Sequence, residues 1–309
     1  MASLAHTERM TSQLIFAKEP AKGWRPWGIL VPLIGFALLI VSVGLLTVVL
    51  QRAHLVDAKE NPVGLEGFAA FLLAPFAALS ILTIAWVRLI ERRTLSTVGL
   101  SADRGARRFS GGMLIGIAMM SAIVAADWAS GGFAAGGVAR AFGSPRALAG
   151  IAVLLVSFAV QSSTEELLFR GWMMSALAYK FGVVPAVLVS SLTFTLLHFE
   201  PASSRLFMPN LFLFGVFACC WSLRTGNIWG VMGWHAGWNW LLGVGFELPV
   251  TGLDTHMPAL IARLTPAGPN YLTGGAQGVE ASLGCSIVLI AGIACTMPGA
   301  RHRLASTSA

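Results

Sequence analysis

Charge is what this 309-residue chain has least of. Asp, Glu, Lys and Arg make up only 11% of it, against 56% hydrophobic residues. Soluble globular domains carry about a quarter charged residues. The shortage excludes an ordinary soluble domain and places the chain in lipid, as does its mean hydropathy of +0.74. Cysteine is scarce too. Cys219, Cys220, Cys285 and Cys295 all lie in apolar runs with no metal-ligand or disulfide spacing, so they read as buried small hydrophobes. Internal repeats and low-complexity tracts are absent. The net charge of +7 is not a nucleic-acid footprint, because the basic residues sit in loops between apolar runs, as at a membrane surface.

Apolar runs of the length that crosses a hydrocarbon core, roughly 20 residues, fall at about 27–50, 68–90, 110–128, 147–179, 183–199, 206–224, 228–247 and 281–298. The expected fold is therefore all-α, a polytopic bundle of about eight transmembrane helices spanning 27–298, with a loose tail at 1–26 and a second at 299–309. The first run is too long for a signal-peptide core and is read as a retained span. Lys18, Lys22 and Arg25, the group Arg88, Arg92, Arg93, Arg104, Arg107 and Arg108, then Lys180, Arg224, Arg301 and Arg303 all fall on one side if the N-terminus is cytoplasmic. The positive-inside rule thus predicts a multi-pass membrane protein with both termini in the cytoplasm. The Ala/Gly-rich composition suggests a bacterial cytoplasmic membrane. Residues 129–146 and 248–280 are rich in Gly and Pro and read as irregular outer loops, with a short interfacial helix near Met257–Leu264.

Within the spans, strongly functional groups are few: Glu165, Glu166 and Arg170 in the fourth, His198 in the fifth, His235 and Asn239 in the seventh. A carboxylate inside a membrane segment is costly and survives mainly where it performs chemistry or conduction. Glu166 and Arg170, Phe194 and His198, and His235 and Asn239 are each spaced i,i+4, so each pair shares a helix face. Spans four and five join at Lys180-Phe181-Gly182. Glu165 precedes Gly182 by 17 residues and His198 follows it by 16, which sets them at similar heights in an antiparallel hairpin. This set can supply a general base for water, a His that positions the water or binds a metal, and donors for an oxyanion. The bland readings are an Arg–Glu pair that neutralises itself, an interhelical His–Asn bond, and packing for Phe194.

At these residues the chain resembles the CAAX-processing and bacteriocin-processing endopeptidases, the CPBP or Abi family of intramembrane proteases. The family's Glu-Glu-x-x-x-Arg is Glu165 to Arg170, its Phe-x-x-x-His is Phe194 to His198, and its His-x-x-x-Asn is His235 to Asn239. All three stand in family order on successive spans, over about 147–245. The resemblance implies that Glu165 activates water together with His198. It implies His235 and Asn239 as oxyanion stabilisers, and Glu166 with Arg170 as support. It leaves two mechanisms open: a metalloprotease with a divalent metal such as zinc on His198, His235 and Glu165, or a metal-free glutamate mechanism. No His is followed by Glu, so the His-Glu-x-x-His helix of common zinc proteases is missing. The expected partners are membrane lipid and a peptide or protein substrate, membrane-anchored in the CAAX case, with no nucleic acid. Two other classes stand beside the protease: a proton-coupled transporter, which usually carries repeats that this chain lacks, and a non-catalytic immunity-type membrane protein.

Overall fold

The computed structural model describes residues 15–16, 21–200 and 204–297. Most of both expected tails, with Lys18, Arg301 and Arg303, lies outside the described residues. Among the described residues, each expected apolar run holds a helix. These are α1 (Leu30–Arg52), α2 (Gly64–Ile90), α3 (Gly105–Ala129), α4 (Pro145–Phe181), α5 (Val183–Leu197), α6 (Phe207–Thr225), α7 (Trp229–Trp240, continued by a π-turn over Leu241–Gly245) and α8 (Leu283–Thr296). Five of them, α1 to α4 and α6, are long and apolar enough to cross a bilayer; α5 and α8 are shorter apolar helices. The chain is thus an all-α integral membrane protein. α1 turns Leu33, Phe36, Ile40 and Leu45 outward, a face that suits lipid and not water.

The ends of α4 are set locally. Ser144 caps it by accepting the backbone N–H of Ala147 at 3.3 Å, and Pro145 occupies its first turn, where a missing N–H costs nothing. Gly182, at φ +82°, ends it in a conformation that favours glycine and sends the chain back as α5. The hairpin register is as expected near its middle. Arg170, 12 residues before Gly182, lays its guanidinium 4.4 Å from the ring centroid of Phe194, 12 residues after it.

α7 is held by a close crossing with α3. Gly112 and Gly116 of α3 lie against the main chain of Gly230 and Trp234, while Gly233 and Gly237 of α7 lie against the main chain of Phe109 and Met113. A Cβ at any of the four would collide with a carbonyl oxygen. Two i,i+4 glycine pairs therefore let the backbones touch, the usual packing of small residues between membrane helices. α4 also packs on α7 and on α2. Thr164 and Ser80 join α4 to α2 through their hydroxyls at 2.8 Å.

The outer loops depart from expectation. Phe133–Val138 (β1) and Ala262–Pro266 (β2) pair as an antiparallel two-stranded sheet, with Phe133 opposite Pro266 and Ala135 opposite Leu264. The expected helix near Met257–Leu264 does not form; Ala262 and Leu264 alternate inward, with Arg263 and Thr265 outward. That period of two is a strand signature, masked in the sequence by the surrounding Pro and Gly. Cys219, Cys220 and Cys285 are buried as read, whereas Cys295 is exposed. Asp127, near the end of α3, is also buried.

Candidate active site

The site is built from α4, α5, α6 and α7. Gln161, Glu165 and Glu166 occupy the last turns of α4 before its helix widens into a π-turn over Leu167–Met173. Such widened turns inside helices are frequent at functional sites. Arg170 falls within it and still reaches Glu166, Nη1 to Oε1 at 3.1 Å, with both side chains wholly buried. The same Oε1 accepts from Nδ1 of His235 at 2.9 Å. One carboxylate oxygen thus ties α4 to α7. Glu166 Oε2, Arg170 Nε and Arg170 Nη2 have no hydrogen-bond partner among the described residues. The guanidinium instead lies over Phe194, with Phe169 and Phe214 at 5.8 and 6.0 Å, a cation–π cage that partly replaces lost hydration.

Because a carboxylate only accepts, Nδ1 of His235 carries the hydrogen, which leaves Nε2 as the ring atom facing Glu165. Nε2 lies 3.8 Å from Glu165 Oε2. That is too long for a hydrogen bond and suits one water touching both atoms. Glu165 itself is 7% exposed. One turn further along α7, Asn239 donates Nδ2 to Gln161 Oε1 at 3.3 Å, and its Oδ1 is buried without a partner. Trp238 donates its indole N–H to Glu280 at 3.1 Å, and Glu280 in turn accepts the backbone N–H and hydroxyl of Thr251 at 2.7 and 2.9 Å. The loop before α8 is thereby fastened to α7 beside the site.

Glu166, Arg170 and His235 therefore meet through direct polar contacts, Glu165 Oε2 stands 3.8 Å from His235 Nε2, and Asn239 bonds to Gln161, one turn before Glu165 on α4. His198 stands apart. It is half-buried at the end of α5, with Nδ1 on the carbonyl of Phe194 at 2.8 Å. Among the described residues a chain of rings links it to His235, with Phe194 at 4.6 Å from His198, Phe214 at 5.8 Å from Phe194, and His235 at 4.8 Å from Phe214. Phe194 is a packing residue here, as the bland reading had it, but it packs the site itself. Sequence reasoning gave no site role to Gln161, Phe214 or Glu280. Gln161 could have been found, since it stands i−4 from Glu165 on the same helix face. Phe214 and Glu280 carry no spacing signal.

Among the described residues, no group of three or more His, Cys, Asp or Glu side chains is arranged to hold a metal ion. Glu165 and His235 alone fall one short of the three protein ligands usual at a catalytic zinc, and His198 does not complete the set in this arrangement.

Residues 147–241 match the family described as Rce1-like, type II CAAX prenyl endopeptidase Rce1-like. The matched segment runs from the first turn of α4 into α7 and contains every motif residue. Over this segment, just under a third of the chain, the sequence is similar to that family of CAAX-type endopeptidases. No curated protein and no solved structure matches the chain.

Proposed function

We propose that the chain hydrolyses peptide bonds of membrane-anchored substrates, with Glu165 as the base that activates the attacking water. The observation that carries this is the approach of Glu165 Oε2 and His235 Nε2 to 3.8 Å, two acceptors from different helices close enough for one water to donate to both. A water donating one hydrogen to each has its lone pairs free for attack. Its oxygen bonds to the scissile carbonyl carbon as Glu165 takes one proton, which is general-base catalysis. The resulting oxyanion needs a donor, a role open to Asn239 Nδ2 once it leaves Gln161 Oε1. Collapse of the tetrahedral species breaks the C–N bond, and the proton held by Glu165 passes to the departing amine. Glu166 acts through His235 by fixing its tautomer and ring orientation, and Arg170 balances the charge of Glu166. His198 suits a contact with the arriving substrate from the end of α5. No step is routed through a metal.

The test uses the purified full-length chain in lipid vesicles with a membrane-anchored CAAX-type peptide. The wild type is expected to release a shortened peptide detectable by mass spectrometry, and Glu165→Gln is expected to release none while remaining folded in the membrane. Undiminished cleavage by that variant would overturn the assignment. Ion flux that depends on Glu165 without peptide cleavage would replace it with the transporter reading.

A further inference from the structure

A second buried cluster lies further along α4, toward its C-terminal end, where the chain segment before α1 and the end of α2 also meet. Glu91, just past α2, accepts indole N–H groups from Trp86 at 2.9 Å and Trp172 at 2.6 Å on Oε1, while Oε2 pairs with Arg93 Nε at 2.7 Å. Arg93 is 4% exposed and gives Nη1 to Ser175 at 3.1 Å. Its Nη2 is buried and has no acceptor among the described residues, and the same is true of Nη1 of half-buried Arg25. Arg25 is oriented by Tyr179, whose ring centroid lies 3.8 Å from its guanidinium carbon. Arg25, Arg93, Ser175 and Tyr179 line one void of about 10 Å³, room for a single oxygen-sized atom.

The local charge does not balance. One carboxylate, Glu91, faces two guanidinium groups. Burial pushes the Arg93 guanidinium below its ordinary value; Glu91 opposes this, and the charge of Arg25 adds to the burial effect. An anion in the void would satisfy both orphaned N–H groups and relieve that repulsion. The position fits a headgroup region. Trp24 and Trp27 are exposed here, Trp24 packs edge-on against Trp86, and Lys22, Arg88, Arg92 and Lys180 are exposed nearby in the chain. Trp and Tyr gather at membrane–water interfaces, and basic residues there attract anionic lipid.

We infer that Arg93 and Arg25 form a binding site for a phosphate oxygen, with the remainder of the group outside the void. The phosphate can belong to an anionic lipid headgroup or be free in solution. Arg groups favour this ligand because they present several donors in a fixed plane.

The experiment uses the full chain purified in detergent, with native mass spectrometry reading bound lipid. The probes are phosphatidylglycerol, phosphatidylcholine and inorganic phosphate. Phosphatidylglycerol is expected to be retained at one copy per chain, at least tenfold more tightly than phosphatidylcholine. Arg25→Gln should remove that preference, and Arg93→Lys, which keeps the charge and loses Nη2, should weaken it. Arg88→Gln, which changes an exposed charge outside the void, should leave it intact. Competition by inorganic phosphate at millimolar levels, without lipid retention, supports the site with free phosphate as the occupant. The wild-type comparison needs no variant, so a misfolded Arg25→Gln chain does not leave the question open. Equal retention of both lipids with no phosphate effect would overturn the site. Equal losses from Arg25→Gln and Arg88→Gln would also overturn it, since surface charge alone would then account for the preference.

Discussion

Two buried carboxylate–guanidinium pairs lie along α4, Glu166–Arg170 midway within it and Glu91–Arg93 against its C-terminal part, and they are finished differently. Glu91 accepts two indole N–H groups on Oε1 and forms an ion pair with Arg93 on Oε2. Glu166 has two donors on one oxygen and a bare second oxygen, and beside it Glu165 faces only His235 across a gap. A fully satisfied carboxylate is a fastener. A carboxylate beside an unfilled gap keeps capacity to exchange a proton with something that arrives. On the proposed function, the same residue types serve structure near the C-terminal end of α4 and chemistry midway along it, and the difference lies in the partners left unfilled.

The comparison can be broken most forcefully by removing each acid in turn. Glu165→Gln should lower turnover by about 10²–10⁴-fold, the range of a lost general base, and leave thermal unfolding in detergent nearly unchanged. Glu91→Ala should do the reverse. It strands Arg93 and two indoles in the interior, and breaking a buried pair costs about 3–5 kcal/mol, read as a large drop in the unfolding temperature with turnover per folded molecule preserved. If Glu91→Ala abolished catalysis in stably folded protein, the division between fastener and chemistry would be wrong.

Next in size is the crossing that carries His235. Gly237→Val places a side chain against the main chain of Met113 and should cost about 1–3 kcal/mol, as overpacking does. Stability and turnover should fall together, because α7 cannot shift without moving His235 from Glu166. A smaller effect is expected from Gln161→Ala. It removes one neutral hydrogen bond to Asn239, worth about 0.5–1.5 kcal/mol, so turnover should fall severalfold with little change in unfolding. Prolonged treatment with a metal chelator should leave turnover unchanged, since the converging donors do not form a three-ligand set; loss of activity restored by added zinc would contradict that.

How much of this could be read from the chain depends on the range of each signal. The helices were legible because lipid demands long apolar runs, and the site because Glu165, Glu166, Arg170, His235 and Asn239 interrupt those runs at helical spacing. The hairpin register near Phe194 and Arg170 followed from counting residues about Gly182. The glycine pairs on α3 and α7 were visible as i,i+4 spacings, but their meeting is a tertiary fact. The β1–β2 sheet escaped notice because two loops more than 120 residues apart in sequence supply its strands, and their Gly and Pro content obscured the alternation.

The central claim is that Glu165 and His235 hold one water between them and therefore act as a unit. A double-variant cycle on turnover tests this directly, using Glu165→Gln, His235→Ala and the combination in the same vesicles with the same peptide. The account predicts that the double variant is about as slow as the Glu165→Gln single variant, because groups that share one water are lost together. Fully additive losses would mean that the two side chains contribute independently, and the shared-water site would be refuted.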